Sequence, residues 1–268
     1  AQTAAGYLWL GTQEGLVRYD GSSFEVFDAA RAPELRADNV MSLLASRDGS
    51  LWIGTEGGGL VRFRDGAFTS LPLLDAPSQT VVRCLFQDAQ GGVWAGTSGG
   101  RTRVEGGRMV PVSEPGAPFA KTSVNGVASD GEGGLWLGTY GSGLLHLDSG
   151  GLSPFPFNDR LGTTKIYCLL RDASGTLWIG TEGGGLWSWD GRSLQGFAEK
   201  EGLPIRMVYS LAQDRSGSLW VGTYGAGLCR YRGGRFEILS SKLGLSNDVV
   251  LSLDAFEKHY EWNLDQMV

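Results

Sequence analysis

The sequence predicts an all-β protein, a six-bladed β-propeller of four-stranded antiparallel blades. Three observations predict it. One pattern recurs six times, as LWLGT at 8–12, LWIGT at 51–55, VWAGT at 93–97, LWLGT at 135–139, LWIGT at 177–181 and LWVGT at 219–223. Its tryptophans, Trp9, Trp52, Trp94, Trp136, Trp178 and Trp220, are spaced by 43 and then four times by 42 residues, and a fixed period of this length marks a repeat architecture. Between the copies lie short apolar runs divided by Gly and Asp turn signals, with no helical period.

The unit from Val40 to Leu71 illustrates the elements in order. Its runs VMSLLA, SLWIGT, GLVRF and AFTSL read as four strands. The links SRDG and RDG are hairpin-sized, and TEGGG supplies the positive-φ freedom a tight reversal needs. Four such strands cannot bury two apolar faces alone, and radial stacking of sheets hides both. The longest link, DAARAPELRADN at 28–39, suits a crossing from the outer edge of one blade to the inner strand of the next. The tryptophans then fill the wedge between blades.

The chain starts with three strands of a blade, YLWLGT, GLVRYD and SFEVF, and its repeats finish on an inner strand in NDVVLSLDAF. A one-plus-three clasp is therefore expected, with 248–254 pairing beside 7–12 and the propeller spanning 1–254. The tail 255–268 leaves the pattern. Its Phe256, Tyr260, Leu264 and Met267 fall at an amphipathic helical spacing, which predicts a short helix or a disordered end.

Composition narrows the function. A net charge of −6 and a pI near 5.0, with no Lys/Arg-rich run, argue against a nucleic-acid surface. No apolar stretch approaches membrane-spanning length, and the chain as given shows no intact signal peptide. Three cysteines make no disulfide framework. Cys84 and Cys168 share a repeat position with Ser42, Gly126, Ser210 and Ser252, as small buried residues would.

The chemical motifs are weak. GTEGGGL and GTYGSGL have the glycines of a phosphate cradle, but they lead into a strand instead of a helix. The two histidines, His146 and His259, sit in no nucleophile–base context, and no zinc spacing exists, so neither a metal nor a cofactor is expected. His146 takes the slot of Arg18, Arg62, Arg103 and Arg230. Asp88, Asp130, Asp172 and Asp214, six residues before their tryptophans, read as turn formers.

Variation against the fixed frame is more informative. The residue after each W-x-G-T runs Gln13, Glu56, Ser98, Tyr140, Glu182, Tyr224. The second residue of each inner strand runs Met41, Arg83, Asn125, Tyr167, Tyr209, Leu251. In a propeller both positions face one end, so a candidate binding set is Gln13, Glu56, Tyr140, Glu182, Tyr224, Arg83, Asn125, Tyr167 and Tyr209. Aromatics with interspersed polar groups suit a small polar ligand such as an oligosaccharide or a peptide.

The unit seen nearly whole at 214–236, DRSGSLWVGTYGAGLCRYRGGRF, resembles the two-component regulator propeller repeat. The opening AQTAAGYLWLGTQEGLVRYDG and the links KEGLP and KLGLSND are similar to further parts of that repeat. The resemblance implies an extracytoplasmic, periplasmic sensing domain of a bacterial membrane receptor, with homodimerisation of the full receptor among its expected partners. A non-catalytic ligand sensor is the leading expectation. A propeller lyase or hydrolase acting on a glycan or lactone, and a protein-interaction scaffold, are the alternatives.

Overall fold

The computed structural model describes residues 1–71, 80–112 and 122–253. The chain is an all-β, six-bladed propeller of antiparallel blades, and among the described residues helical structure is confined to four short 3-10 turns. It divides into two compact units, residues 1–127 and 128–268. The first unit opens with a sheet of β1 (Leu8–Thr12), β2 (Gly15–Tyr19) and β3 (Phe24–Phe27). A blade of β4 (Val40–Ala45), β5 (Leu51–Thr55), β6 (Leu60–Arg64) and β7 (Ala67–Leu71) follows. The next comprises β8 (Val82–Gln87), β9 (Val93–Thr97), β10 (Gly100–Glu105) and β11 (Arg108–Pro111). Then come the blades of β12 (Val124–Ser129), β13 (Leu135–Thr139), β14 (Leu144–Asp148) and β15 (Gly151–Pro154), and of β16 (Ile166–Arg171), β17 (Leu177–Thr181), β18 (Leu186–Trp189) and β19 (Leu194–Phe197). The last holds β20 (Val208–Gln213), β21 (Leu219–Thr223), β22 (Leu228–Arg232) and β23 (Arg235–Leu239).

Each letter of W-x-G-T has a physical cause. The threonine hydroxyl donates to the carbonyl that closes the following turn, as from Thr55 to Gly59 at 3.0 Å and from Thr181 to Gly185 at 2.8 Å. In that turn Gly183 and Gly185 have φ of 92° and 80°, a region that disfavours side chains. The glycine of the motif lies under the next inner strand: a Cβ at Gly54 would come 2.5 Å from Val82 Cγ1, and one at Gly180 2.7 Å from Val208 Cγ1. The small slot shared by Ser42, Cys84 and Cys168 bonds across the same gap, to the carbonyls of Val82, Val124 and Val208. The cysteines are free, and burial pushes the Cys84 thiol up to about 12.

Trp9, Trp52, Trp136 and Trp178 each pack in the layer between their own blade and the next. One cluster joins Trp9 and Leu16 to Leu51, Ile53 and Val61; another joins Trp178 and Leu186 to Leu219 and Val221. The turn aspartates do bond their own backbone, as Asp172 Oδ1 accepts from Ser174 and Thr176; at Asp88, Asp172 and Asp214 the second carboxylate oxygen also takes the indole N–H six residues on, whereas at Asp130 it pairs with His146 Nε2. Arg62, Arg103 and Arg230 lie over Trp52, Trp94 and Trp220. His146 stacks on Trp136 instead, at 4.1 Å between ring centroids.

The first blade differs from expectation. It has the three strands foreseen, but the edge of β1 is met by Ala1 and Gln2: Trp9 N–H donates to Ala1 O at 2.8 Å, and the Ala1 ammonium donates to Trp9 O at 2.9 Å. Over 248–253 no strand forms; Val249 makes a single bridge to Tyr224, and Val250 N–H donates to Thr223 O. The expected ladder between 248–254 and 7–12 is thus not among the described pairings. The tail 255–268, with its helical expectation, lies outside the described residues.

Candidate functional site

The second residue of an inner strand sits at a break in the ladder. Register shifts fall between Val40 and Ser42, Val82 and Cys84, Ile166 and Cys168, and Val208 and Ser210, which leaves Met41, Arg83, Tyr167 and Tyr209 as bulge residues. A bulge re-aims one side chain out of the pleat. The residue after W-x-G-T meets the residue before the next inner strand in an isolated bridge, as in Glu56 with Val81, Tyr140 with Lys165, Glu182 with Met207 and Tyr224 with Val249. Bulge and bridge bring the two variable positions side by side.

In the second unit this arrangement assembles five of the nine candidate residues into one patch. Tyr140, Tyr167, Tyr209 and Tyr224 form a ladder of rings, with centroid separations of 6.2, 4.4 and 5.7 Å; the central pair is stacked at an interplanar angle of 19°. The outer rings are open to solvent, at 45% exposure for Tyr140 and 49% for Tyr224. Glu182 anchors the middle. Its carboxylate accepts the Tyr167 hydroxyl at 2.5 Å and the Lys165 ammonium at 2.9 Å, while the Tyr209 hydroxyl donates to that of Tyr167 at 3.5 Å. Lys165 also lies over the Tyr140 ring, 4.9 Å from its centroid.

The charges of this patch are held in fixed states. The hydrogen bond from Tyr167, then that from Lys165, keeps the Glu182 carboxyl below its usual range. Burial, reinforced by the bonds to Glu182 and Tyr209, pushes the Tyr167 phenol well above its ordinary value. The hydrogen bond to Glu182 raises the Lys165 ammonium. At neutral pH the patch is one internally neutralised ion pair among aromatic faces.

The remaining candidates lie in the first unit. Glu56 is exposed and accepts from Asn39 Nδ2 at 2.6 Å. Arg83 is exposed at its bulge, and Asn125 Oδ1 accepts from Ser123 at 3.1 Å. Gln13 lines an open cleft of about 810 Å³ beside Thr12, Glu14, Val17, Val26, Asp28 and Asp38. Among the described residues no group of His, Cys, Asp or Glu is placed to hold a metal.

Sequence reasoning missed Lys165. It belongs to a third variable position, Asn39, Val81, Ser123, Lys165 and Met207, one residue before β4, β8, β12, β16 and β20. The signal was available: Asn39 to Glu56 and Lys165 to Glu182 are the same pairing at a separation of 17 residues.

Four segments, residues 34–57, 76–99, 160–183 and 202–225, match the family described as two component regulator propeller. Those four segments read as two-component regulator propeller repeats. Each of the four matched segments contains a residue pair of the kind that builds the patch, a bulge residue followed by the residue after W-x-G-T: Met41 and Glu56, Arg83 and Ser98, Tyr167 and Glu182, Tyr209 and Tyr224. No curated protein matches the chain. Among solved structures, the chain is similar to the extracellular domain of a putative hybrid two-component system from B. thetaiotaomicron, at a TM-score of 0.82 and 22% identity over 94% of this chain and 35% of that one. A second such domain from B. thetaiotaomicron gives 0.60 and 26% identity, over 92% and 35%. The chain thus spans about a third of the length of those domains. Virginiamycin B lyase from Staphylococcus aureus shares the fold at 0.68 and 16% identity, over 89% of this chain and 82% of the lyase. No helix among the described residues is long and apolar enough to cross a membrane.

Proposed function

We propose that this propeller is a non-catalytic ligand-sensing module, the extracytoplasmic, periplasmic part of a bacterial signal-transduction receptor, and that it takes a small polar ligand such as an oligosaccharide or a peptide on the tyrosine ladder. The observation that carries this reading is the ladder Tyr140–Tyr167–Tyr209–Tyr224 with the Lys165–Glu182 pair at its centre. Exposed phenol rings offer flat apolar faces edged by hydroxyls, and a ligand with alternating C–H and O–H or amide surfaces matches both. The four matched segments and the likeness to two-component extracellular domains support the receptor context.

The lyase reading rests on a fold shared at 16% identity, and the patch does not favour it. Glu182 is held ionised and Tyr167 protonated, so neither is poised to transfer a proton near neutral pH. The test is a thermal-shift and calorimetric screen of oligosaccharides and short peptides, since a ligand of the native state raises the melting temperature by mass action. A ligand of either class whose affinity falls at least tenfold in Tyr140→Ala and Tyr224→Ala supports the site. A bound ligand indifferent to both substitutions refutes it, and turnover of any panel member refutes the non-catalytic reading.

A further inference from the structure

At the ends of the strands away from the variable positions, the hairpins that join the first two strands of neighbouring blades are stitched together. Gln87 Oε1 accepts the Arg47 N–H at 3.0 Å, and Gln87 Nε2 donates to Gly91 O at 3.1 Å. Gln213 repeats the stitch in the second unit, taking the Ala173 N–H at 2.9 Å and donating to Gly217 O at 3.4 Å. The hairpins of β4–β5 and β16–β17 therefore sit in the same frame, each beside its motif tryptophan, Trp52 or Trp178.

One group differs between the two frames. Asp172 Oδ2 accepts the Trp178 indole N–H at 2.8 Å. Trp52 has Ser46 at that place, and the serine hydroxyl is turned to Ser50 O at 3.1 Å and to Asp48 Oδ1. Asp48 does not take over the role: its Oδ1 also accepts the Ser50 N–H, and its Oδ2 accepts Arg62 and Arg64 at 3.0 and 3.2 Å. Trp52 is only 6% exposed, yet its Nε1 has no partner. A buried donor without an acceptor is unfavourable, so any acceptor that reaches it is favoured.

Beside this indole lies a pocket of about 320 Å³, lined by Ser46, Arg47, Asp48, Trp52, Gln87 and Val93, all within the first unit. Its size suits a small molecule, and Trp52 and Val93 give it apolar walls. The charge beside it is cationic. Arg62 lies 5.5 Å from the Trp52 ring centroid and shares Asp48 with Arg64, while Arg47 donates to Ala89 O and has no carboxylate partner among the described residues.

We propose that this pocket is a second binding site, separate from the tyrosine patch, for a small monocarboxylate with an apolar body. The carboxylate accepts the Trp52 indole N–H as Asp172 accepts that of Trp178, and the body packs against Trp52 and Val93. The repeat itself supplies the chemistry: where the chain provides the carboxylate the indole is satisfied, and where it provides Ser46 a pocket stands beside a free donor.

Nitrogen-15 NMR of the indole groups in the full chain, with sodium benzoate as the probe, tests the proposal. The Trp52 resonance, assigned by its loss in Trp52→Phe, should shift saturably with half-saturation below about 1 mM, while that of Trp178 stays in place. Benzamide, which has the same shape without the charge, should bind at least tenfold more weakly. Ser46→Asp places the chain's own carboxylate on the indole, so benzoate should lose at least tenfold in affinity. By calorimetry Trp52→Phe should show a loss of the same size; near-UV circular dichroism checks both folds, and Trp52→Phe decides if Ser46→Asp does not fold. A Trp52 resonance indifferent to benzoate, equal binding of benzamide, or undiminished binding by either folded variant would overturn the inference.

Discussion

The indole N–H of Trp178 donates to Asp172 Oδ2 at 2.8 Å, across a six-residue separation that recurs between Trp94 and Asp88 and between Trp220 and Asp214. Where the residue six places back is not aspartate the bond is lost. Trp9 has Thr3 and Trp52 has Ser46 at that place, and the Nε1 atoms of both tryptophans are buried with no partner.

The contrast makes a prediction. Trp178 and Trp52 are equally buried, so replacing either with Phe removes similar apolar area. Only Trp178→Phe also breaks a hydrogen bond to a carboxylate. It should destabilise by about 1.5–3 kcal/mol more than Trp52→Phe, the usual range for a bond to a charged group. Urea denaturation of the two variants checks the difference, and equal losses would show that the bond adds nothing.

The motif glycine should tolerate no side chain. Gly180→Ala brings a Cβ against Cys168 Sγ and to 2.7 Å from Val208 Cγ1. Overpacking of this kind should cost roughly 1–3 kcal/mol. A chemical melt measures it, and an unchanged midpoint would mean the layer between these blades is looser than it looks.

Acid should weaken the protein through its turn aspartates. Burial alone would raise Asp48, but hydrogen bonds from Ser46 and Ser50 and the charge of Arg62 outweigh it and hold the carboxyl at about 2, against an ordinary 3.8. Asp130, Asp172 and Asp214 are lowered in the same way, hydrogen bonds overcoming burial. Each carboxylate binds its proton more readily when unfolded, so its contribution is complete above about pH 4 and is lost as pH falls towards 2. The melting temperature should therefore fall steeply across that interval. Asp172→Asn should flatten part of the slope, which differential scanning calorimetry reads directly.

Tyr167→Phe should release Glu182. The phenol hydroxyl is the largest influence holding that carboxyl down, ahead of Lys165. Without it the Glu182 titration should move up towards 4.5, followed by carbon-13 NMR of the side-chain carboxyl. The same variant keeps the stacked ring against Tyr209. A ligand that needs only the aromatic platform should bind it with little change, and one that loses at least tenfold reads the hydroxyl network.

The six-fold repeat, the strand order within a blade and the places of the variable residues are all legible in the chain, because a 42-residue period constrains every copy at once. Even the layered core is implied, since a large ring and a glycine recur two residues apart. The repeat could not disclose what depends on neighbours outside it. Nothing in the letters of Tyr167 and Tyr209 says that both stand on bulges and stack at 4.4 Å. Nor does the sequence show that Lys165 and Glu182 share a charge through a bridge 17 residues long. The clasp foreseen between 248–254 and 7–12 joins segments of the two units, and residue 254 lies outside the described residues. Periodicity in the sequence specifies the blade, because each strand answers to its own repeat. Tertiary structure alone decides the patch, because it depends on which atoms of different blades come within a few ångströms of each other.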